Sequence, residues 1–158
     1  MKRIVEGLAT GFYFGKSPYM PGTIGTLWGI PLAWLMMKAG PVLYMVIAVV
    51  GVGIASVIAE LHERNSQTHD AGEIVIDEVI GYVIAATWLP VTWQTFVAAF
   101  VAFRVFDIWK PFPIRQIDQK AKGGLGTVLD DVAAGIAANM VLQLIYGHTG
   151  WLGETLRG

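Results

Sequence analysis

The run VLYMVIAVVGVGIASVIA, Val42 to Ala59, holds eighteen residues and no charge. A stretch of about that length crosses the hydrocarbon core of a bilayer as a helix, so it restricts the fold to a helical membrane protein or a bundle around one deeply buried helix. Gly51, Ala55 and Ala59 recur at every fourth position, a small-residue stripe against which a second helix can pack closely. Three further uncharged stretches follow the same pattern: Leu27 to Met37, which ends at KAGP; Val79 to Phe103, interrupted by Pro90; and Val132 to Gly147. Composition favours the membrane, since 54% of the chain is hydrophobic and only 15% charged, against about 25% in ordinary soluble domains. Six tryptophans and five tyrosines suit membrane interfaces as well.

The expected fold is therefore all-α: a polytopic membrane bundle of two helical hairpins plus a C-terminal helix, in a single domain spanning 1-158. KAGP turns the first hairpin and WLPVTW the second, because proline breaks a helix interior. From Asp77 to Pro90 is thirteen residues and from Val91 to Asp107 sixteen, which gives arms of about 20 and 24 Å at 1.5 Å per residue. Such a hairpin brings Asp77, Glu78, Arg104 and Asp107 to a common depth. With both tips on the far side, Lys2, Arg3, Lys16, Arg64, Arg104, Lys110, Arg115, Lys120 and Lys122 share one face, and only Lys38 and Arg157 lie opposite. Lys/Arg excess marks the cytoplasmic side, so the face bearing the acidic motifs is expected there. The start, MKRIVEGLATGFYF, is positive like a signal peptide, but Glu6, Gly7 and Gly11 interrupt it, and it reads as a retained, non-secretory segment.

Several chemistries are excluded or disfavoured. With no cysteine there is no disulfide, thiol nucleophile or thiolate metal site. The net charge of -1 gives no reason to expect a nucleic-acid partner. His69 adjoins an acidic cluster, while His62 and His148 carry no signal.

The acids gather at three places: Asp70, Glu73, Asp77 and Glu78; Asp107; and Asp130 with Asp131. Glu73 and Asp77 are four apart and would share a helix face, whereas Asp77 and Glu78 diverge by about 100°. Carboxylates at a membrane threshold are costly unless paired, solvated or bound to a cation, and their oxygens suit Mg2+. Arg104, Asp107 and Lys110, spaced by three in FRVFDIWKPFPI, form either an ion-pair ladder or a phosphate-binding stripe. Two glycine-rich loops, PGTIGT from Pro21 and KGGLGT from Lys122, are expected to run into the first and last apolar helices, where bare backbone and the free N–H groups of a helix start favour phosphate. Neither has Walker spacing. Thr127 to Asp130 and Asp70 to Glu73 also fit capping boxes, which would give Asp130 and Glu73 a purely structural task.

Taken in order, PGTxGT, HDxGxIVxDE, FRxxDxxKPxPI and KGGxGxxxDD resemble the phosphatidylglycerophosphatase A type of membrane lipid phosphatase, from about Gly7 to Gly147. The resemblance implies a Mg2+-dependent, multi-pass enzyme of the bacterial inner membrane, acting in phospholipid biosynthesis. Its substrate would be phosphatidylglycerophosphate, whose terminal phosphate is removed at the cytoplasmic face to leave phosphatidylglycerol. It assigns catalysis to Asp77, Asp107, Asp130 and Asp131, and metal binding to Asp77, Glu78, Asp130 and Asp131. Phosphate binding falls to Arg104 and Lys110, with Thr23, Gly25, Thr26 and Gly124 from the glycine-rich segments. Ile76 stands where the family often has an aromatic residue. The competing readings are an ion-coupled transporter, which would place acids in mid-helix within inverted repeats that are not found, and a non-catalytic membrane scaffold. Oligomeric state is not written in the sequence.

Overall fold

The computed structural model describes residues 2–17, 19–66 and 72–153. Seven α-helices account for most of them: α1 (Lys2–Ala9), α2 (Pro21–Lys38), α3 (Pro41–Ser66), α4 (Ile76–Ala85), α5 (Trp93–Trp109), α6 (Ile114–Lys120) and α7 (Gly123–His148). A 3-10 turn, Phe14–Lys16, lies between α1 and α2, and no strand occurs among the described residues. The all-helical expectation therefore holds.

Helix ends follow from local chemistry. Pro21 opens α2 at a position where a missing N–H costs nothing. The helix thus begins six residues before the apolar run and carries PGTIGT inside its first two turns. Thr92 caps α5 by accepting from the Thr95 N–H at 3.2 Å. Lys110, in the left-handed region at φ 43°, ends α5 immediately before Pro111. The break expected at Pro90 is real: residues 86–92 separate α4 from α5.

Two helix starts differ from expectation. The α7 helix begins at Gly123, nine residues before the uncharged run, so Thr127 and Asp130 lie within its early turns and form no capping box. The α4 helix begins only at Ile76 with Val75 as its cap, which leaves Glu73 in the preceding turn and off the helix face of Asp77. His69 and Asp70 lie outside the described residues.

The short helix α4 is the hub, packed against α2, α3, α5 and α7. Glycines set its distances. A Cβ on Gly81 would strike the Phe103 ring and the Asp131 carbonyl, and one on Gly135 would strike the Gly81 carbonyl. These paired glycines draw α4 and α7 together one turn beyond Asp77 and Asp131. The C-terminal end of α4 is saturated from α7: Asn139 Nδ2 donates to Ala85 O at 3.0 Å and Thr87 O at 2.8 Å, and Gln143 Nε2 donates to Thr87 O at 3.0 Å. Tyr44 donates from its hydroxyl to Val83 O at 2.6 Å. A helix that stops inside apolar surroundings needs such partners, because an unpaired buried carbonyl is costly.

Helices α3 and α7 each have 26 residues and are apolar enough to cross a bilayer. At 1.5 Å per residue each reaches about 39 Å, beyond the ~30 Å hydrocarbon core. Their outer surfaces are apolar, with Val42, Val49, Val57, Met140 and Leu144 all exposed. The small-residue stripe of α3 turns inward, and Ala55 and Ala59 are fully buried. At 17 and 10 residues, α5 and α4 are shorter than a full span.

Candidate functional site

Four helices bring their polar turns to one end of the bundle. The first turn of α4 supplies Asp77 and Glu78, the second turn of α7 supplies Asp130 and Asp131, and the last turns of α5 supply Arg104 and Asp107, with Lys110 as its cap. The first turn of α2 closes over them. A Cβ on Gly22 would meet both Glu78 Oε1 and the Arg104 guanidinium, and one on Gly25 would lie 2.7 Å from Val75 Cβ and 3.3 Å from Glu78 Oε2. Side chains at these two positions would push α2 off the acids. Its N-terminus, with the positive end of the helix dipole, thus sits beside Glu78.

Asp77, Glu78 and Asp131 each place a carboxylate oxygen within 4.8 Å of the others. Asp77 and Asp131 are buried. Asp77 Oδ1 accepts from the Glu78 N–H at 2.9 Å, whereas Glu78 Oε2 is buried without a hydrogen-bond partner among the described residues. Three acids at such range repel one another and lack water to spread the charge. The all-oxygen donor set and the orphaned Glu78 oxygen fit a hard divalent cation such as Mg2+.

Basic groups flank this trio. Arg104 Nη1 donates to Asp107 Oδ2 at 2.6 Å, and Asp107 is near enough to Glu78, Asp130 and Asp131 to act on each electrostatically. Lys110 Nζ donates to Asp130 Oδ2 and to Asp118 Oδ1, both at 2.6 Å. Burial pulls the Lys110 ammonium down, but the hydrogen bonds and charges of Asp118 and Asp130 more than reverse this and raise it above the ordinary lysine value. It remains a cation at any working pH.

The site residues read from the sequence thus divide. Asp77, Glu78, Arg104, Asp107, Lys110, Asp130, Asp131 and Gly25 come together. Thr26 does not present its hydroxyl, because it is fully buried and donates to Gly22 O at 2.8 Å. The Thr23 N–H is directed to Met20 O at 3.0 Å, inside the turn that opens α2. The PGTIGT segment therefore serves by bareness at Gly22 and Gly25.

Gly124 needs correction. Its N–H donates to Glu60 Oε2 at 2.7 Å, and a Cβ there would collide with the α3 backbone at Ser56 and Glu60. A carboxylate of the protein already stands where the sequence suggested a substrate phosphate. Thr127 likewise donates to Glu63 Oε1 at 2.6 Å. The second glycine-rich segment is a crossing point of α3 and α7, with acids of α3 at the positive end of α7.

Two partnerships were not visible in the sequence. Asp118 of α6 completes the Lys110 bridge. His62, buried on α3, lies with Nε2 2.9 Å from Glu73 Oε1 and so ties down the segment that enters α4. The Val75 N–H, bonded to Ala9 O at 2.9 Å, fixes the same segment from the other side. The two pairs, Lys110 with Asp118 and His62 with Glu73, are eight and eleven positions apart, spacings that no helical repeat brings together, so no local pattern announces them.

A family model described as Phosphatidylglycerophosphatase A matches residues 7–146. The chain is 41% identical over 142 residues to Phosphatidylglycerophosphatase A of Escherichia coli, covering 89% of this chain and 83% of that one. It is 36% identical over 140 residues to the protein of the same name from Haemophilus influenzae, covering 87% and 86%. It is also 35% identical over 145 residues to a Bacteroides thetaiotaomicron protein provisionally named a phosphatidylinositol-3-phosphatase, covering 87% and 90%. No solved structure matches. With the match spanning nearly the whole chain, the protein belongs to the phosphatidylglycerophosphatase A family and is an enzyme, a phosphoric monoester hydrolase.

Proposed function

We propose that this protein hydrolyses the terminal phosphate monoester of phosphatidylglycerophosphate, giving phosphatidylglycerol and inorganic phosphate, in phospholipid biosynthesis. The observation that carries the reading is the trio of Asp77, Glu78 and Asp131, two of them buried and Glu78 half-buried, beside Arg104 at one end of an apolar bundle. A lipid phosphate has the same division, with a charged end to be neutralised and tails that remain in hydrocarbon. Family membership names the lipid.

Asp77, Glu78 and Asp131 would hold Mg2+, which supplies Lewis-acid stabilisation of charge on the phosphoryl oxygens. Arg104, turned toward Glu78 beneath Gly22, binds a non-bridging oxygen of the monoester through charge-assisted hydrogen bonds. Lys110 has three donors, two of which Asp118 and Asp130 take, and it offers the third to the same phosphate. Asp107, held by Arg104, orients a water and accepts its proton as the water oxygen bonds to phosphorus. The bond from phosphorus to the glycerol oxygen breaks, and that oxygen takes up a proton. Such transfers run through loose transition states, so positioning and charge neutralisation carry most of the rate.

In this reading α3 and α7 cross the inner membrane, and α2 and the α4 to α5 pair enter it as hairpin arms, which makes the protein multi-pass. The charge distribution supports a cytoplasmic site. Of the lysines and arginines among the described residues only Lys38 lies at the far end, where its Nζ sits 3.4 Å over the Trp34 ring. Phosphate release from phosphatidylglycerophosphate by the detergent-solubilised protein, with Mg2+ and then with excess EDTA, tests the function. Metal-dependent release is expected; folded protein that releases none would refute it.

A further inference from the structure

In the reading above the acidic trio and Arg104 take one phosphate, but the headgroup has two. The terminal monoester is joined through one glycerol to the phosphodiester that links it to the diacylglycerol. On the other side of Lys110, at the elbow between α5 and α6, lies a cavity of about 480 Å3. Lys110 forms its inner wall, Arg115, Gln116 and Gln119 of α6 contribute polar groups, and Trp109 and Phe112 form the rim.

Its electrostatics suit an anion. Arg115 has no ion-pair partner among the described residues, and the side-chain amides of Gln116 and Gln119 make no hydrogen bond there. Three exposed polar side chains without protein partners thus line the cavity, and Arg115 supplies its uncompensated positive charge, because Lys110 is already bridged to Asp118 and Asp130. The rim has the opposite character: Trp109 and Phe112 are 75% and 78% exposed, as amphipathic and aromatic rings are at the headgroup level of a bilayer. Because Lys110 touches both the cavity and Asp130, the cavity and the acidic site share one wall.

We propose that this cavity is a subsite for the internal phosphodiester of the lipid headgroup, bound by Arg115 with Gln116 and Gln119, and that it selects lipids carrying a diester in addition to the scissile monoester. The proposal rests on the phosphatase reading above. In it, Lys110 stands between the two phosphates, and the rim aromatics mark where the headgroup enters from the bilayer.

The test compares two lipids in mixed micelles: phosphatidylglycerophosphate, and phosphatidate, whose only phosphate is a monoester. For Arg115→Ala, the ratio of kcat/KM for the first over the second is expected to fall about tenfold, through a higher KM for the diester lipid. Arg115→Lys should recover part of it. Soluble glycerophosphoglycerol, a diester without a monoester, should inhibit the wild type competitively and Arg115→Ala about tenfold more weakly. An unchanged ratio together with unchanged inhibition would overturn the subsite, as would a proportional loss on both lipids. Failure of the wild type to release phosphate from either lipid would instead overturn the phosphatase reading, and the subsite with it.

Discussion

Lys110 Nζ lies 2.6 Å from Asp130 Oδ2 while the Lys110 backbone ends α5, so one residue both stops a helix and delivers a cation to an acid on another. This separates Asp130 from its neighbour Asp131, which faces Asp77 and Glu78 instead. Two adjacent aspartates on one helix thereby hold different positions. Asp131→Asn is expected to raise the Mg2+ concentration for half-maximal activity at least tenfold, whereas Asp130→Asn shifts it far less and acts on KM. Metal titrations of phosphate release by the two variants check this.

Lys110→Gln keeps most of the length of the side chain and removes its charge. A loss of about 100-fold in kcat/KM is expected, the scale seen when one preorganised electrostatic contact is removed. The rate should not depend on a Lys110 titration at neutral pH, because its flanking carboxylates hold it charged.

Gly22→Ala and Gly124→Ala should fail differently. A Cβ at Gly22 meets the mobile ends of Glu78 and Arg104, which can shift at the expense of the site geometry. Activity should fall tenfold or more with little change in Tm. A Cβ at Gly124 meets α3 backbone, which cannot yield, so this variant should unfold at markedly lower temperature. Thermal denaturation in detergent, read beside turnover, separates the two.

Glu60→Gln removes the negative charge at the start of α7. Stability should drop by about 0.5–1 kcal/mol, the usual scale for a charge at a helix terminus, with KM for the lipid phosphate unchanged. A large KM effect would return the second glycine-rich segment to the phosphate site.

His62 and Glu73 should behave as a coupled pair. Because both act by holding the segment that enters α4, the double variant His62→Ala, Glu73→Ala should lose little more than either single one. A double-mutant cycle on kcat measures the coupling directly.

Much of this was legible in the sequence because the signals were local. The uncharged runs marked α3 and the body of α7, and Pro90 marked the break between α4 and α5. The three-residue step from Arg104 placed that cation beside Asp107, whereas Lys110, expected on the same stripe, leaves the helix in the left-handed region and turns to Asp118 and Asp130. Helix starts were harder to read. Glycine-rich segments look like loops by propensity, yet in α2 and α7 they are helical, because close packing against Val75, Glu78 and the α3 backbone requires bare positions there. The same ambiguity assigned Gly124 to a ligand when its N–H belongs to Glu60. Asp118, His62 and Glu60 gave no signal, since each finds its partner through the tertiary fold.

The most direct measurement is phosphate release from phosphatidylglycerophosphate by the wild type, Asp77→Asn and Asp131→Asn, each verified as folded, across a Mg2+ titration that ends in excess EDTA. The account predicts metal-dependent release by the wild type, abolished by chelation, and a loss of 100-fold or more in both variants. Release that persists in EDTA, or either variant turning over at the wild-type rate, would contradict it.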